Sequence, residues 1–281
     1  MISIIICSTK SDISYVLKEN IKETVGVPYE LVVIDNSKGE YSIFEAYNIG
    51  IRRSSNPCLC FIHEDIIFRT KNWGCILCNA LKCREKVGVI GVIGSSMVFQ
   101  NPLGWWDGPV VGHVIESDKR NYKKGGCKEA PKELSLQEVV TLDGLFLAMN
   151  KSVFEDIEFD TQTYTGFHCY DMDICLQAFK AGYNNYVIDY VEIEHFSTGN
   201  FNTAFVQGYL SLNEKWEGLL PVACNNVSSK ELEAKNKLYQ MTLLDNRRFV
   251  LTYRDVLYSE YYRYFVSLYR CLKRIKHRFV K

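Results

Sequence analysis

Ile2 to Cys7 is a short, apolar, β-branched run, the pattern of a strand buried on both faces of a parallel sheet. Ser11-Asp12 offers a helix cap, and Ile13, Leu17 and Ile21 follow on one helical face. A second strand, Glu30 to Ile34, stops at Asp35-Asn36-Ser37. Ser42 and Glu45 form an S-x-x-E capping box for a helix that runs toward Ile51. Leu59 to Ile62 is the third strand and ends at His63-Glu64-Asp65. A helix over about 72–84 leads into the apolar run VGVIGVIG. This alternation predicts an α/β fold wound around a central sheet. Residues 99–138 lose periodicity, gain Gly, Lys and Trp, and read as a long excursion over the sheet edge. Order returns at 139–150 and in a helix from Asp171 to Ala181, closed by Gly182. A strand from Tyr186 to Ile193 stops at Glu194-His195, and beyond Phe201 the chain reads as helical.

Composition changes this picture little. Lys+Arg and Asp+Glu stand at 33 each, which gives no bias toward nucleic acid. The last dozen residues, 270–281, carry six basic side chains and no acidic one, mixed with aromatics. Such a tail suits peripheral contact with an anionic membrane surface, a terminal helix packed on the domain, or a dimer contact. No apolar stretch is long enough to span a bilayer. Eleven cysteines are an odd number, several sit in apolar runs, and no signal-peptide pattern opens the chain. They read as reduced thiols of a cytoplasmic protein. Cys75, Cys78 and Cys83 begin as C-x-x-C, but their neighbours are spaced as a helix and no second ligand pair follows, so zinc is not expected.

In open α/β sheets, ligands sit at the carboxyl ends of the strands. Asp35, the triplet His63-Glu64-Asp65 and His195 all end strands, and Asp143-Gly144 lies within VVTLDGLFLAM. Asp171 and Asp173 open a helix, where their side chains point about 200° apart, so only one can face a site. The glycines of GVIGVIG have the wrong spacing for a dinucleotide fingerprint. Alone, D-N-S is also an ordinary turn and H-E-D an ordinary strand exit.

The segments ISIIICST, ELVVIDNSKG, AYNIGIRRSSNPCLCFIHEDI, TLDGLFLAMNKSVF and YDMDICLQAFKAGY, in this order, resemble successive signatures of family 2-like GT-A fold glycosyltransferases. The Trp-rich middle and IEHFSTG are similar to the branch related to the StrF protein of streptomycin biosynthesis. The resemblance implies a Rossmann-like GT-A domain over 1–203, with a mixed central sheet and helices on both faces, and a helical extension with a basic tail over 204–281. It implies sugar transfer from a nucleotide-diphosphate donor to a glycan, lipid-linked or small-molecule acceptor, with inversion. Cys7, Ser8 and Asp35 would hold the nucleobase. Asp65 and His195 would bind a divalent cation, Mn²⁺ or Mg²⁺, with Glu64 on the ribose or the metal's water shell. In H-E-D, which side chain touches the ion stays open, His63 included. Asp171 would be the general base. Asp143-Gly144 would lie on the acceptor side, with His168 lining the site. Trp105 or Trp106 would stack on a sugar, or one of the two would plug the core. His113 and His277 show no partner. A sugar nucleotidyltransferase lacks support, because ICSTKSD supplies no triphosphate loop. A non-catalytic carbohydrate- or partner-binding relative is the other alternative, since Tyr170 precedes Asp171 where an acid is expected.

Overall fold

The computed structural model describes residues 1–117, 127–129, 135–196 and 202–245 of the chain. Strand β1 (Ile2–Ser8) pairs in parallel with β2 (Tyr29–Asp35) and β3 (Cys58–Ile62). Its alternation divides the core. Ile2, Ile4 and Ile6 face one apolar cluster and Ile5 the other, and β3 repeats the pattern with Cys58, Cys60 and Ile62 against Leu59 and Phe61. Helix α1 (Tyr15–Thr24) covers the first face through Leu17 and Ile21. Helix α2 (Ile43–Arg53) covers the second through Phe44 and Tyr47. It comes so close that a Cβ on Gly50 would lie 2.3 Å from Ile5.

The main sheet has seven strands in the order 136–139, 184–188, 87–91, 146–150, β3, β1, β2. It is mixed: 146–150 runs antiparallel to β3 and to 87–91, while 184–188 is parallel to 87–91.

The Ser42–Glu45 capping box forms as expected, each side chain bonding the other residue's backbone N–H. The first helix starts later than Ser11-Asp12 suggests. Ser14, in extended backbone, accepts from Leu17 N–H, while Asp12 accepts from Ile13 N–H and pairs with Lys18. Helix α3 (Trp73–Ala80) is shorter than 72–84, and the Asn150 side-chain amide donates to the Leu81 carbonyl at 3.0 Å just beyond its end. The run VGVIGVIG is two strands, 87–91 and 93–95, separated at Val92, whose carbonyl accepts from His113 N–H. The reading of 186–193 as one strand also changes. Residues 184–188 belong to the main sheet, whereas 193–195 pair elsewhere.

Helix α4 (Tyr170–Lys180) ends before Gly182, whose φ of +83° suits glycine. Helix α5 (Thr203–Trp216) adds Phe205, Val206, Tyr209, Leu212 and Trp216 to the same core as α2 and α4. Helix α6 (Ser229–Asp245) lies against the Trp-rich segment, with Tyr239 stacked on Phe99 at 5.0 Å. Among the described residues no helix is long and apolar enough to cross a membrane. All the described cysteines are free thiols.

Candidate active site

His63-Glu64-Asp65 turns β3 into β4 (Ile66–Phe68), which pairs antiparallel with 193–195. This register sets His195 opposite Ile66, and Phe196 N–H donates to the Asp65 carbonyl at 3.0 Å. A buried ion pair holds the incoming strand, with Arg69 Nε donating to Glu194 at 2.8 Å. His195 Nε2 thereby comes to 3.4 Å from Asp65 Oδ1, and His63 Nδ1 to 4.0 Å from the same oxygen. One ligand atom from each of His63, Asp65 and His195 lies within 4.8 Å of the others. His195 Nε2 is buried and makes no hydrogen bond among the described residues, although buried polar atoms are ordinarily satisfied. Two imidazoles and a carboxylate converging in this way, one nitrogen left unbonded, fit a divalent cation.

Glu64 turns the other way. Ser8 Oγ donates to Oε2 at 2.6 Å, and Thr9 donates to Oε1 from its N–H at 3.1 Å and its hydroxyl at 2.5 Å. Burial pushes this carboxyl's pKa up, but the Ser8 and Thr9 bonds outweigh it and hold the group below the usual range. Asp35 lies across the ladder from Ser8, exposed, and its carboxyl is lowered by the Ser37 hydroxyl and N–H. Cys7, one residue back, meets the Asn36 amide at 3.7 Å, and its thiol is pushed up by burial. A cleft of about 360 Å³ opens beside this group, lined by Thr9, Lys10, Ser14, Glu64, Asp65 and Phe196 among others.

On the far side of His63 stands the first turn of α4. Asp171 Oδ2 accepts from Gly144 N–H at 3.1 Å and Oδ1 from Met172 N–H at 2.9 Å. Burial, and then the charge of Asp143, raise its pKa to about 7 despite these bonds. Asp143 acts on His63 as well, whose pKa burial lowers. Asp143 itself accepts from Leu145 N–H at 2.9 Å. Gly144 must be glycine, because a Cβ there would lie 2.1 Å from the Tyr170 hydroxyl. Asp173 points away, as its spacing from Asp171 requires. It is fully buried and takes Trp216 Nε1 at 2.8 Å, Lys215 at 2.8 Å, Gln177 at 2.7 Å and the Tyr164 hydroxyl at 3.1 Å. It ties α4 to α5.

A glycosyltransferase-like family profile matches residues 3–206. The chain belongs to this family. Among solved structures it is similar to GalNAc-T7 with UDP, GalNAc and Mn²⁺, at 10% identity and a TM-score of 0.51, covering 86% of this chain and 56% of that one. It is also similar to S. aureus TarS 1–349 in complex with UDP-GlcNAc (12% identity, TM-score 0.47, 88% and 73% covered) and to A197 from STIV (14%, 0.40, 70% and 85%). The chain thus spans little more than half of the GalNAc-T7 chain. No curated protein matches in sequence. The mixed sheet with its helices is accordingly the GT-A fold.

In this glycosyltransferase-like chain an aromatic surface extends from the cation-fitting triad. Phe167, 52% exposed, lies 5.9 Å from both His63 and Tyr170. His168 packs edge-on against Phe205 at 5.2 Å, and burial lowers its pKa while the Asn202 side chain partly restores it. Trp106, 41% exposed, stacks over Phe205 at 6.4 Å. Trp105 is the inward one of the two, packed on the core. Their turn is held by Asp107, which accepts from Leu103 and Gly104 N–H and from the Tyr239 hydroxyl of α6. Sequence reasoning did not find Phe167 or Phe205, whose segments carry no motif and meet only in the fold. His113 bonds Val92 through its backbone, and His277 lies outside the described residues.

Proposed function

We propose that the chain transfers a hexose from a nucleotide-diphosphate donor to a carbohydrate, lipid-linked or small-molecule hydroxyl, with inversion and with a divalent cation. The observation that carries this reading is the His63–Asp65–His195 triad, joined through the 2.6 Å contact of His63 with Tyr170 to the helix turn that holds Asp171, whose pKa lies near 7. His63, Asp65 and His195 would hold the ion, and two imidazoles favour Mn²⁺ over Mg²⁺. When bound, the cation neutralises the diphosphate and acts as its Lewis acid.

The chain's own residues do the rest. Cys7, Ser8 and Asp35 receive the base, Asp35 accepting from an imide N–H. Glu64, already anchored by Ser8 and Thr9, has lone pairs left for a ribose hydroxyl. Asp171 takes the proton of the acceptor hydroxyl as its oxygen bonds the anomeric carbon. The opposite C–O bond breaks, and its electron pair leaves on the diphosphate oxygen. A carboxyl with a pKa near neutrality is suited to that exchange. Asp143, Gly144, His168 and Trp106 face the acceptor, with Trp105 as the core plug behind Trp106. The transferase unit is 1–203, and α5 and α6 of the extension 204–281 brace the aromatic surface. The fuller placement is a StrF-related bacterial enzyme of surface-glycan or small-molecule glycosylation, cytoplasmic, with its basic tail on the inner membrane face. That tail lies outside the described residues.

The test is a panel of UDP-, GDP- and dTDP-sugars, with release of the nucleoside diphosphate measured in Mn²⁺ and in EDTA. Turnover of one donor, lost in EDTA, is expected. Failure to bind or turn over any nucleotide sugar contradicts the reading.

A further inference from the structure

We propose that Tyr170 is the positioning residue of the cation site, its hydroxyl fixing the ring and tautomer of His63 so that Nδ1 faces Asp65 and His195. This rests on the cation reading above. His63 Nε2 and the Tyr170 hydroxyl are 2.6 Å apart, while His63 Nδ1 looks toward Asp65. Tyr170 is 4% exposed, and its ring is wedged against Phe44, Tyr47 and Phe159. Its oxygen therefore cannot swing away. The ring of Tyr47, 1% exposed, stands nearly perpendicular to that of Tyr170 at 5.5 Å and closes off the other side. Gly144 makes room for the Tyr170 hydroxyl, since any Cβ there would strike it.

The chemistry follows from the imidazole. A nitrogen that ligates a metal must be unprotonated, so Nδ1 can serve only when the proton sits on Nε2. That N–H then needs a buried acceptor, and the Tyr170 oxygen is in place at 2.6 Å. Without a cation the bond can reverse, Tyr170 donating to Nε2 and Nδ1–H turning toward Asp65. A hydroxyl both donates and accepts, so Tyr170 can serve Nε2 in either state. Phenylalanine at 170 keeps the ring packing but leaves Nε2 without this partner in either state, and the cation-bound state loses more, because a bound metal polarises the N–H that is left unpaired. Partners of this kind to a ligating histidine are typically worth 10–100-fold in metal affinity.

The test is Mn²⁺ uptake by metal-free protein without donor, followed by the electron paramagnetic resonance signal of free aqueous Mn²⁺. The unaltered chain should bind one ion, and Asp65→Ala should abolish binding. Tyr170→Phe should weaken it about 10–100-fold. In a His63→Ala background, Tyr170→Phe should weaken it no further, which a merely structural role would not produce. Wild-type affinity in Tyr170→Phe overturns the inference while leaving the cation reading intact, as does an equal loss in both backgrounds. No uptake by the unaltered chain overturns the cation reading itself, and the inference with it. Independently of any variant, ¹⁵N shifts of His63 with Zn²⁺ bound should report the Nε2–H tautomer, and an Nδ1–H tautomer overturns the proposal.

Discussion

Replacing Asp171 by asparagine separates the two things its environment does. The carboxyl's pKa rises from the ordinary 3.8 to about 7, through burial first and Asp143 second. A raised folded value means that the folded chain holds the proton more tightly than the unfolded one. The stability this gives is fully present below about pH 4 and lost as pH climbs through 7, so the ionised group is a burden above it. Moving a carboxyl from 3.8 to about 7 costs its charged form about 4 kcal/mol. Part of Asp171 reaches solvent, which reduces this to about 2 kcal/mol. Asparagine resembles the protonated acid, so the variant should lack this pH dependence. Urea unfolding of metal-free protein at pH 4.5 and 8 reads it. The stability difference, wild type minus variant, should fall by about 2 kcal/mol between the two pH values. The same change should cut kcat by about 10²–10⁴-fold and remove an acid limb near pH 7 from the rate profile. A variant that turns over fully, or whose stability follows pH as the wild type's does, refutes the assignment.

Asp173→Ala should behave in the opposite way. It leaves the Trp216 N–H without its acceptor and Lys215 paired with Asp160 alone at 2.7 Å, so we expect a loss of about 1–3 kcal/mol in unfolding experiments with Mn²⁺ affinity unchanged under folded conditions. Phe167→Ala should raise the acceptor KM by about 10-fold, the value of one aromatic contact, with donor binding and stability within about 0.5 kcal/mol of wild type. Steady-state kinetics with acceptor varied at saturating donor checks it, and an unchanged acceptor KM removes Phe167 from the site.

The sequence made the site's linear pieces legible and hid its assembly. The apolar run Ile2 to Cys7 and the Ser42–Glu45 box are local physics, and both appear as read, the strand reaching one residue further to Ser8. The opposed directions of Asp171 and Asp173 followed from helix geometry, and the structure turns Asp173 inward. Three polar residues near Ile13 could each cap α1, and propensity does not rank Ser14 above Ser11 or Asp12. The break between 188 and 193 depends on pairing with β4, a contact more than a hundred residues distant in sequence, which no local pattern records. That same pairing carries His195 to His63 and Asp65. Tyr170 read as a departure from an expected acid, because its partner His63 is equally remote along the chain.

The central claim is that the exits of β1, β2 and β3, together with His195, form one donor site around a cation. Calorimetry with UDP and GDP, each with and without Mn²⁺, on the wild type and on Asp65→Ala, tests it most directly. One of the two nucleotides should bind the wild type with Mn²⁺ present and lose at least about 10-fold in affinity when the ion is withdrawn, and Asp65→Ala should show the weak binding in both conditions. Nucleotide binding that is indifferent to Mn²⁺ and to Asp65, or that never occurs, contradicts it.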